Sequence, residues 1–388
     1  MKKILIISPI NQWGGVNIDA GFMAEFYQNY GYKVKVLSLG DYYSDSSIFN
    51  FIPKKKYTTL NELVIRRYFF FFLILRMLNC IKPLDKPISH RVNNPYFKKY
   101  FGLKKKSCQI LSQKIKESDV IFICHHLTGE FVEEIVSTSC KYSKTIFHRV
   151  TQQINEKRML TPYNIRWLSK INTLIYHSKS NQLIAKKYLT AINHSIIDQC
   201  VINENIFLSK NVLNNCKSYY VLTRLENTKK IDQVISAFKL INDKELSLHI
   251  YGDGAQLIFL KELAAEDKRI KFYAPVTIDY ISQVHLKHDC LIISSSIEGG
   301  PYTGLEAMAA GNLIVSTRVG AMEERLGIDY DFFYNSTQIE LTEKIDEITC
   351  LSSEEIKKIS CRLKELYLKN HSYKIIQRKY QDLIENID

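Results

Sequence analysis

The sequence predicts an α/β fold built from two Rossmann-like domains, each with a parallel sheet. Both halves of the chain begin with an apolar strand that is followed by a loop and an amphipathic helix, and strands and helices alternate from there on. The strands are continuous apolar runs, as expected where both faces of a parallel sheet are buried. A chain of 388 residues also exceeds one ordinary domain.

The first half opens with a βαβ unit. A strand, a glycine loop, a helix and a second strand are predicted, in this order, at Lys3–Ser8, Gly14-Gly15, 18–29 and 32–39. Further strands are predicted at 120–124, 144–147 and 173–176. Because the apolar periodicity lapses after 195, we predict that the N-terminal domain covers 1–195.

The second half repeats this order of elements. Strands are predicted at 218–222, 246–251, 270–273, 290–294 and 313–316, with helices at 230–241 and 256–265. We therefore predict a C-terminal domain over 196–370. The segment 371–388 is predicted to be a separate final helix, because its apolar residues lie on one face.

The composition favours an intracellular protein with an anionic partner. The nine cysteines are scattered and form no CxxC pair, which indicates free thiols rather than disulfides or a zinc site. The net charge is +13, and residues 1–210 alone hold 31 Lys and Arg against 14 Asp and Glu. The basic character therefore belongs to the N-terminal half.

A basic, aromatic region over 51–106 is the candidate contact for that partner. Its apolar run 68–75 has eight residues, whereas a helix needs about 20 to span a bilayer. Apolar residues flanked by cations are typical of a segment in the headgroup layer of an anionic membrane, and a buried helix with a solvated basic rim is the alternative. No nucleic acid is expected, since no nucleic-acid-binding motif accompanies the charge.

The sharpest motif is the stretch from Glu298 to Gly311. It predicts a strand end, a glycine-rich turn and a short helix that carries Glu306. Such a turn brings backbone N–H groups close to a diphosphate, and we assign this contact to Gly299, Gly300, Pro301, Tyr302 and Thr303. Glu298 and Glu306 are carboxylates that can each accept hydrogen bonds from two hydroxyls of a sugar or ribose.

Two cations follow an earlier strand of the same half. Arg224 lies just past the strand 218–222, and Lys229 opens the next helix. Because open α/β sheets bind ligands at the carboxyl ends of their strands, this pair can neutralise a diphosphate there. Gly252 and Gly254 form a further turn after a strand, a weak signal by itself.

The stretch from Glu298 to Glu306 closely resembles the Glu-x7-Glu signature of retaining GT-B glycosyltransferases, particularly family 4. The continuation through Gly320 to Glu323 is similar to that family's Gly-Gly-x-x-Glu, with Ala321 in place of the second glycine. The resemblance implies a cleft between the two domains and a final helix that packs back on the first. It also implies that Glu298 contacts the donor sugar and Glu306 the ribose.

The same resemblance extends to other positions. It implies that Arg224 and Lys229 bind the diphosphate, although Thr223 and Lys230 replace family glycines and Lys230 leaves the register ambiguous. Gly252 and Gly254 would lie near the nucleotide, and Gly14 and Gly15 under the diphosphate. His148 directly follows the predicted strand 144–147, where the family often has a histidine near the sugar; a structural histidine is the alternative.

The expected function is retaining transfer of a sugar from a nucleotide-diphosphate donor to an acceptor hydroxyl. A saccharide or lipid-linked saccharide acceptor at the inner face of a bacterial membrane is expected, as in O-antigen or capsule assembly. No cofactor or metal ion is expected, because Asp329-Tyr-Asp331 fits a surface turn better than a metal motif. A GT-B epimerase or phosphorylase and a non-catalytic partner protein are the alternatives.

Overall fold

A computed structural model describes residues 2–10, 14–40, 46–70, 102–129 and 131–385. The chain divides into two compact units, the first over 1–176 and 181–196 and the second over 177–180 and 197–386. The chain thus enters the second unit beside the predicted boundary at 195–196. Within the described ranges the cysteines are free thiols.

The first unit is built on a parallel sheet with the strand order β3-β2-β1-β4-β5-β6-β7. Its strands are β1 (Lys3–Ile7), β2 (Lys33–Ser38), β3 (Tyr57–Thr59), β4 (Val120–His125), β5 (Thr145–Val150), β6 (Thr173–Tyr176) and β7 (Asn193–Ile196). The central strands are buried along almost their whole length, which explains why they are continuous apolar runs.

Helices cover this sheet. The described helices of this half are α1 (Gly15–Asn29), α2 (Leu60–Arg67), α3 (Leu103–Lys116), α4 (Val132–Lys141), α5 (Glu156–Met159), α6 (Pro162–Leu168) and α7 (Lys179–Lys186). Helix α2 begins with a capping box, in which Thr59 and Glu62 each accept from the other's backbone N–H.

The second unit has a parallel sheet with the order β10-β9-β8-β11-β12-β13. Its strands are β8 (Ser218–Leu222), β9 (Ser247–Tyr251), β10 (Ile270–Tyr273), β11 (Cys290–Ile293), β12 (Leu313–Thr317) and β13 (Phe333–Tyr334). The two parallel sheets with flanking helices confirm the predicted pair of Rossmann-like domains.

The helices of the second unit precede, separate and follow these strands along the chain. They are α8 (Glu204–Leu208), α9 (Ile231–Leu240), α10 (Leu257–Ala264), α11 (Ile278–Lys287), α12 (Tyr302–Ala310), α13 (Met322–Leu326), α14 (Gln338–Thr349), α15 (Ser353–Asn370) and α16 (Tyr373–Glu385). The last helix, α16, belongs to this unit, where the Tyr373 N–H donates to Glu204. Its packing on the first domain stays a prediction.

Three strands were not predicted from the sequence. β7 is half exposed and polar, and β3 and β13 have three and two residues, so none of them has an apolar run long enough to be recognised. The structure also extends β5 to Val150, beyond the predicted end at 147.

The basic region is described only in part, because 71–101 lies outside the described residues. In the part that is described, Phe69 and Phe70 are 54% and 78% exposed, and Arg66 and Arg67 beside them are exposed. Among the described residues no helix combines the length and the apolar character that crossing a bilayer requires.

Candidate functional site

A pocket lies at the carboxyl ends of β8 and β11 in the second unit. This is the point where the strand order of the sheet reverses, the usual ligand position in open α/β sheets. Its empty volume is about 280 Å³. The lining consists of strand ends, the start of α9 and the turn before α12: Val221, Leu222, Thr223, Lys229, Ile231, Ile292, Ile293, Ser294, Ser295, Glu298, Pro301 and Thr303.

Lys229 and Glu298 meet in this pocket. The Lys229 ammonium donates to the Glu298 carboxylate, and the two side chains are only 11% and 21% exposed. The Ser295 hydroxyl donates to the same carboxylate at 2.9 Å, and the Ser294 hydroxyl donates to the Lys229 carbonyl at 2.6 Å. A cation and an anion therefore lie side by side in the pocket.

The backbone conformation of Lys230 bears on the ambiguous register of this motif. Lys230 has φ +54°, in the left-handed region that glycine adopts most readily. It lies between the 3₁₀ turn Asn227–Lys229 and helix α9, and this conformation agrees with the glycine that the resemblance implies there. Lys229 is consequently the residue whose side chain enters the pocket.

Glu306 lies deeper than the sequence suggested. It is 5% exposed and is not among the residues that line the pocket. Its Oε2 lies 3.2 Å from Nε2 of the fully buried His285, and the other ring nitrogen of His285 lies 2.6 Å from the Tyr220 hydroxyl. The structure thus separates the two glutamates, and the ribose contact of Glu306 stays a prediction.

Arg224 lies on the surface next to the pocket. Its side chain is 73% exposed and donates to Glu226 at 2.9 Å, while the neighbouring Thr223 lines the pocket. Since an exposed ion pair contributes about 1 kcal/mol or less, Arg224 can leave Glu226 at little cost. Its diphosphate role is a prediction that requires this movement.

Gly252 and Gly254 support the pocket indirectly. The Leu225 N–H donates to the Asp253 carbonyl, so the loop after β8 lies directly against the loop after β9. A Cβ at Gly252 would lie 1.9 Å from the Thr223 carbonyl oxygen, and one at Gly254 would lie 2.4 Å from that of Leu225. These glycines are explained by the close approach of two backbones.

The turn before α12 and the first residues of that helix make contacts on two sides. Pro301 and Thr303 face the pocket, whereas the Tyr302 hydroxyl donates to the Cys200 carbonyl. A Cβ at Gly300 would lie 2.9 Å from Nη2 of Arg325.

The neighbouring turn at Gly320 packs against the backbone of Gly299. Gly320 has φ +57°, and a Cβ there would lie 2.8 Å from the Gly299 carbonyl oxygen. Ala321 has φ −90°, so the backbone requires no second glycine. This explains why the departure from the family motif is tolerated.

The predicted residues of the first unit form a separate group. Gly14 has φ +134° and precedes α1, which begins at Gly15. His148 lies inside β5 and is fully buried, which corrects the prediction that it follows the strand. Its Nε2 is 3.3 Å from the His125 carbonyl oxygen, and its Nδ1 has no hydrogen-bond partner among the described residues. Burial lowers the pKa of His148 to about 3.

The DxD-like sequence is a surface turn, as predicted. Asp329 and Asp331 are both exposed and lie between α13 and β13. In the part of the chain that the structure describes, no three His, Cys, Asp or Glu side chains are grouped as metal ligands.

Sequence reasoning missed the residues behind the pocket. The buried His285 and Arg325 contact the motif, and the buried Asp198 pairs with Arg325. No sequence signal indicated Arg325, because it follows two other charged residues in α13.

A family comparison covers most of the second unit. Residues 204–365 match the family model described as glycosyl transferases group 1. The second unit is therefore similar to glycosyl transferases group 1 domains over these residues. The pocket with Lys229 and Glu298 lies within the matched segment.

A curated relative of this domain is the N-acetyl-alpha-D-glucosaminyl L-malate synthase of Bacillus anthracis. It is 24% identical over 165 residues, which are 35% of this chain and 42% of the relative. The chain therefore matches less than half of that relative's length.

Solved structures share the fold over the whole chain. A glycosyltransferase from Rickettsia africae superposes with a TM-score of 0.74 at 14% identity and covers 100% of this chain and 98% of its own. Anabaena Alr3699/HepE, solved with UDP and glucose, gives a TM-score of 0.68 at 15% identity, with 99% and 100% of the two chains covered. TarM from S. aureus, in a complex that contains UDP, gives 0.72 at 13% identity, with 99% of each chain covered. At these identities the likeness concerns the fold.

Proposed function

We propose that the protein transfers a sugar from a nucleotide-diphosphate donor to an acceptor hydroxyl, with retention at the anomeric carbon. The ion pair of Lys229 and Glu298 in the second-unit pocket carries the proposal. An ammonium group suits the diphosphate, and a carboxylate suits the hydroxyls of the sugar. The N-terminus of α12, with Pro301 and Thr303 in the pocket lining, lies at the same edge of the sheet and suits an anion.

The pair suggests how the donor binds. The diphosphate takes the Lys229 ammonium as its counter-ion, and Glu298, released from that contact, accepts hydrogen bonds from the sugar. The bond between the anomeric carbon and the diphosphate oxygen then breaks, while Lys229 and Arg224 stabilise the negative charge on the leaving group. The acceptor oxygen attacks from the same side, and its proton passes to the leaving diphosphate. Neither a nucleophilic carboxylate nor a metal ion takes part.

The first experiment is a thermal-shift screen of UDP-, GDP- and ADP-sugars. A donor that binds only the folded state raises the melting temperature by mass action. UDP-sugars are the first choice, because Alr3699/HepE was solved with UDP-glucose. We expect one donor to stabilise the protein and to be slowly hydrolysed without acceptor. Stabilisation by none, or binding without any turnover, would contradict a transferase.

We assign a saccharide or lipid-linked saccharide acceptor, as in O-antigen or capsule assembly, to the first unit. We also assign peripheral binding to the anionic inner face of a bacterial membrane. Exposed Phe69 and Phe70 beside exposed Arg66 and Arg67 support this assignment.

Liposome flotation tests the membrane contact. We expect anionic vesicles, but not neutral ones, to carry the protein upward, and Phe70→Ser to weaken flotation. The control Phe259→Ser removes a ring that is 50% exposed in the second unit and leaves flotation unchanged. Equal recovery with both vesicle types, or with none, would refute the assignment.

A further inference from the structure

A buried ion pair lies directly behind the turn that carries Glu298. Arg325 of α13 is fully buried, and its Nε and Nη2 donate to the Asp198 carboxylate at 2.8 and 2.7 Å. Its Nη1 donates to the Pro301 carbonyl at 2.6 Å, and Nη2 also donates to Gln199 at 3.1 Å. One guanidinium therefore connects the chain entering the second unit with the turn at the pocket.

The pair stays charged at neutral pH. Burial alone would raise the pKa of Asp198, but the charge and hydrogen bonds of Arg325, with a contribution from His177, hold this pKa well below its ordinary value. His371 Nδ1 lies 3.3 Å from the same carboxylate, yet burial lowers the pKa of His371 to about 4. The negative charge of Asp198 is therefore balanced mainly by the positive charge of Arg325.

The guanidinium also determines the shape of the turn. It packs against Gly300, where a Cβ would lie 2.9 Å from Nη2. The Pro301 carbonyl that it binds also accepts from the Gly304 N–H at 3.2 Å, the first backbone bond at the start of α12. Because Pro301 lines the pocket with Glu298, a displacement of this carbonyl changes the pocket itself.

We infer that Arg325 is a positioning residue that holds the turn Glu298–Pro301 and thereby keeps Glu298 opposite Lys229. The inference rests on the proposed donor site. Arginine is required because its planar fork reaches the two Asp198 oxygens and the Pro301 carbonyl at the same time. A lysine keeps the charge but cannot make all three contacts.

Hydrogen exchange of the ligand-free protein tests the inference without a donor. In Arg325→Lys, the backbone amides of the peptide 298–304 should exchange about tenfold faster than in the wild type, the effect of losing one charged hydrogen bond. Arg318→Lys is the matched control, because Arg318 is 42% exposed and pairs with Glu323. Unchanged exchange in Arg325→Lys, or an equal increase in the control, would overturn the inference.

A milder variant covers the case in which Arg325→Lys does not fold. Gln199→Ala removes one acceptor of the guanidinium and leaves its pair with Asp198. It should raise the exchange of the same peptide by a smaller factor, with peptides of β8 and β12 unchanged. Exchange that rises uniformly across the second unit would show a merely structural role.

Binding of UDP-glucose, measured by calorimetry, gives the second readout. If Arg325 acts through Glu298, then Glu298→Gln should weaken binding much less in the Arg325→Lys background than in the wild type. Fully additive losses would contradict a positioning role. If the wild-type protein binds no UDP-glucose, that result counts against this donor in the proposed function, and the exchange experiment alone decides on Arg325.

Discussion

The glycine loops of the two units differ in what surrounds them. In the first unit, a Cβ at Gly14 would meet no atom of the described chain within 4 Å. Only the backbone angle, φ +134°, favours glycine there. In the second unit, Gly252, Gly300 and Gly320 each lie against backbone or a buried guanidinium. Contacts within the chain therefore constrain these turns of the second unit, whereas Gly14 has no described atom against it.

The predicted site side chains of the two units also differ. Lys229 and Glu298 are already paired in the pocket, and serine hydroxyls contact both residues. In the first unit, His148 is buried inside β5 and its Nδ1 lacks a hydrogen-bond partner among the described residues. A preformed site lowers the cost of ordering groups when the donor binds.

The largest effect is expected at Glu298. Glu298→Gln keeps the size of the side chain but removes the charge that pairs with Lys229, and we expect sugar transfer to fall at least about 100-fold. The kcat/KM for transfer is the measurement, with melting temperature as the check on folding. Glu262→Gln, the same change at an exposed site of α10, should leave the rate unchanged. A loss below tenfold at Glu298 would show that the preformed pair is not essential.

Alanine substitutions test how tightly the glycine loops are packed. Gly252→Ala places a methyl group against the Thr223 carbonyl and should lower the free energy of unfolding by about 3 kcal/mol. Gly14→Ala meets only backbone strain and should cost about 1 kcal/mol. Urea unfolding measures both. Equal costs would remove the contrast between a packed and an open loop.

Acidification should destabilise the second unit more than the first. Burial lowers the pKa of His148 in the first unit to about 3 and also lowers that of His194. In the second unit it lowers the pKa values of His249, His288 and His371 to about 4, 3 and 4. The unfolded chain takes up these protons near pH 6.5, whereas the folded chain resists until the lower values. The contribution of these histidines to the free energy of unfolding is therefore fully present above about pH 6.5, and it is lost as the pH drops toward 4.

Pulsed hydrogen exchange of the full chain between pH 7 and 4.5 measures this difference. Peptides of the second unit should lose protection at a higher pH than those of the first. His249→Asn, which removes one of the titrating groups, should move the second unit toward the first. Earlier opening of the first unit would contradict the account.

The smallest effect is expected at Lys230. A residue with a side chain loses roughly 1–2 kcal/mol of stability in the left-handed conformation of Lys230. Glycine avoids this cost, but its greater freedom in the unfolded chain offsets part of the gain. Lys230→Gly should therefore raise the free energy of unfolding by less than about 1 kcal/mol. Lys239→Gly, in the last turn of α9, should lower it by up to about 1 kcal/mol. A loss in both variants would show that Lys230 is not strained.

The sequence predicted the parts of the fold that are apolar and local. The strands at 218–222 and 290–294 were predicted to within one residue, because buried parallel strands are continuous apolar runs. The proximity of Lys229 and Glu298 was also predictable, because both follow strand ends at one edge of a parallel sheet.

The remaining features depend on contacts between distant residues. Arg325 and Asp198 lie 127 positions apart, and no periodicity marks either residue as a partner of the other. Glu306 has helical spacing from Glu298, but its burial depends on His285 of a different helix. The end of β5 was misplaced because His148 and Arg149 are polar residues that are fully buried in a strand.

The central claim is that the pocket at Lys229 and Glu298 binds a nucleotide sugar. Calorimetric titration of the wild type and of Lys229→Gln with UDP-, GDP- and ADP-glucose tests it most directly. We expect one donor to bind the wild type, and the variant to bind it at least about tenfold more weakly, since one charge-assisted contact to the diphosphate is lost. Equal affinity of the wild type and Lys229→Gln for that donor would contradict the account.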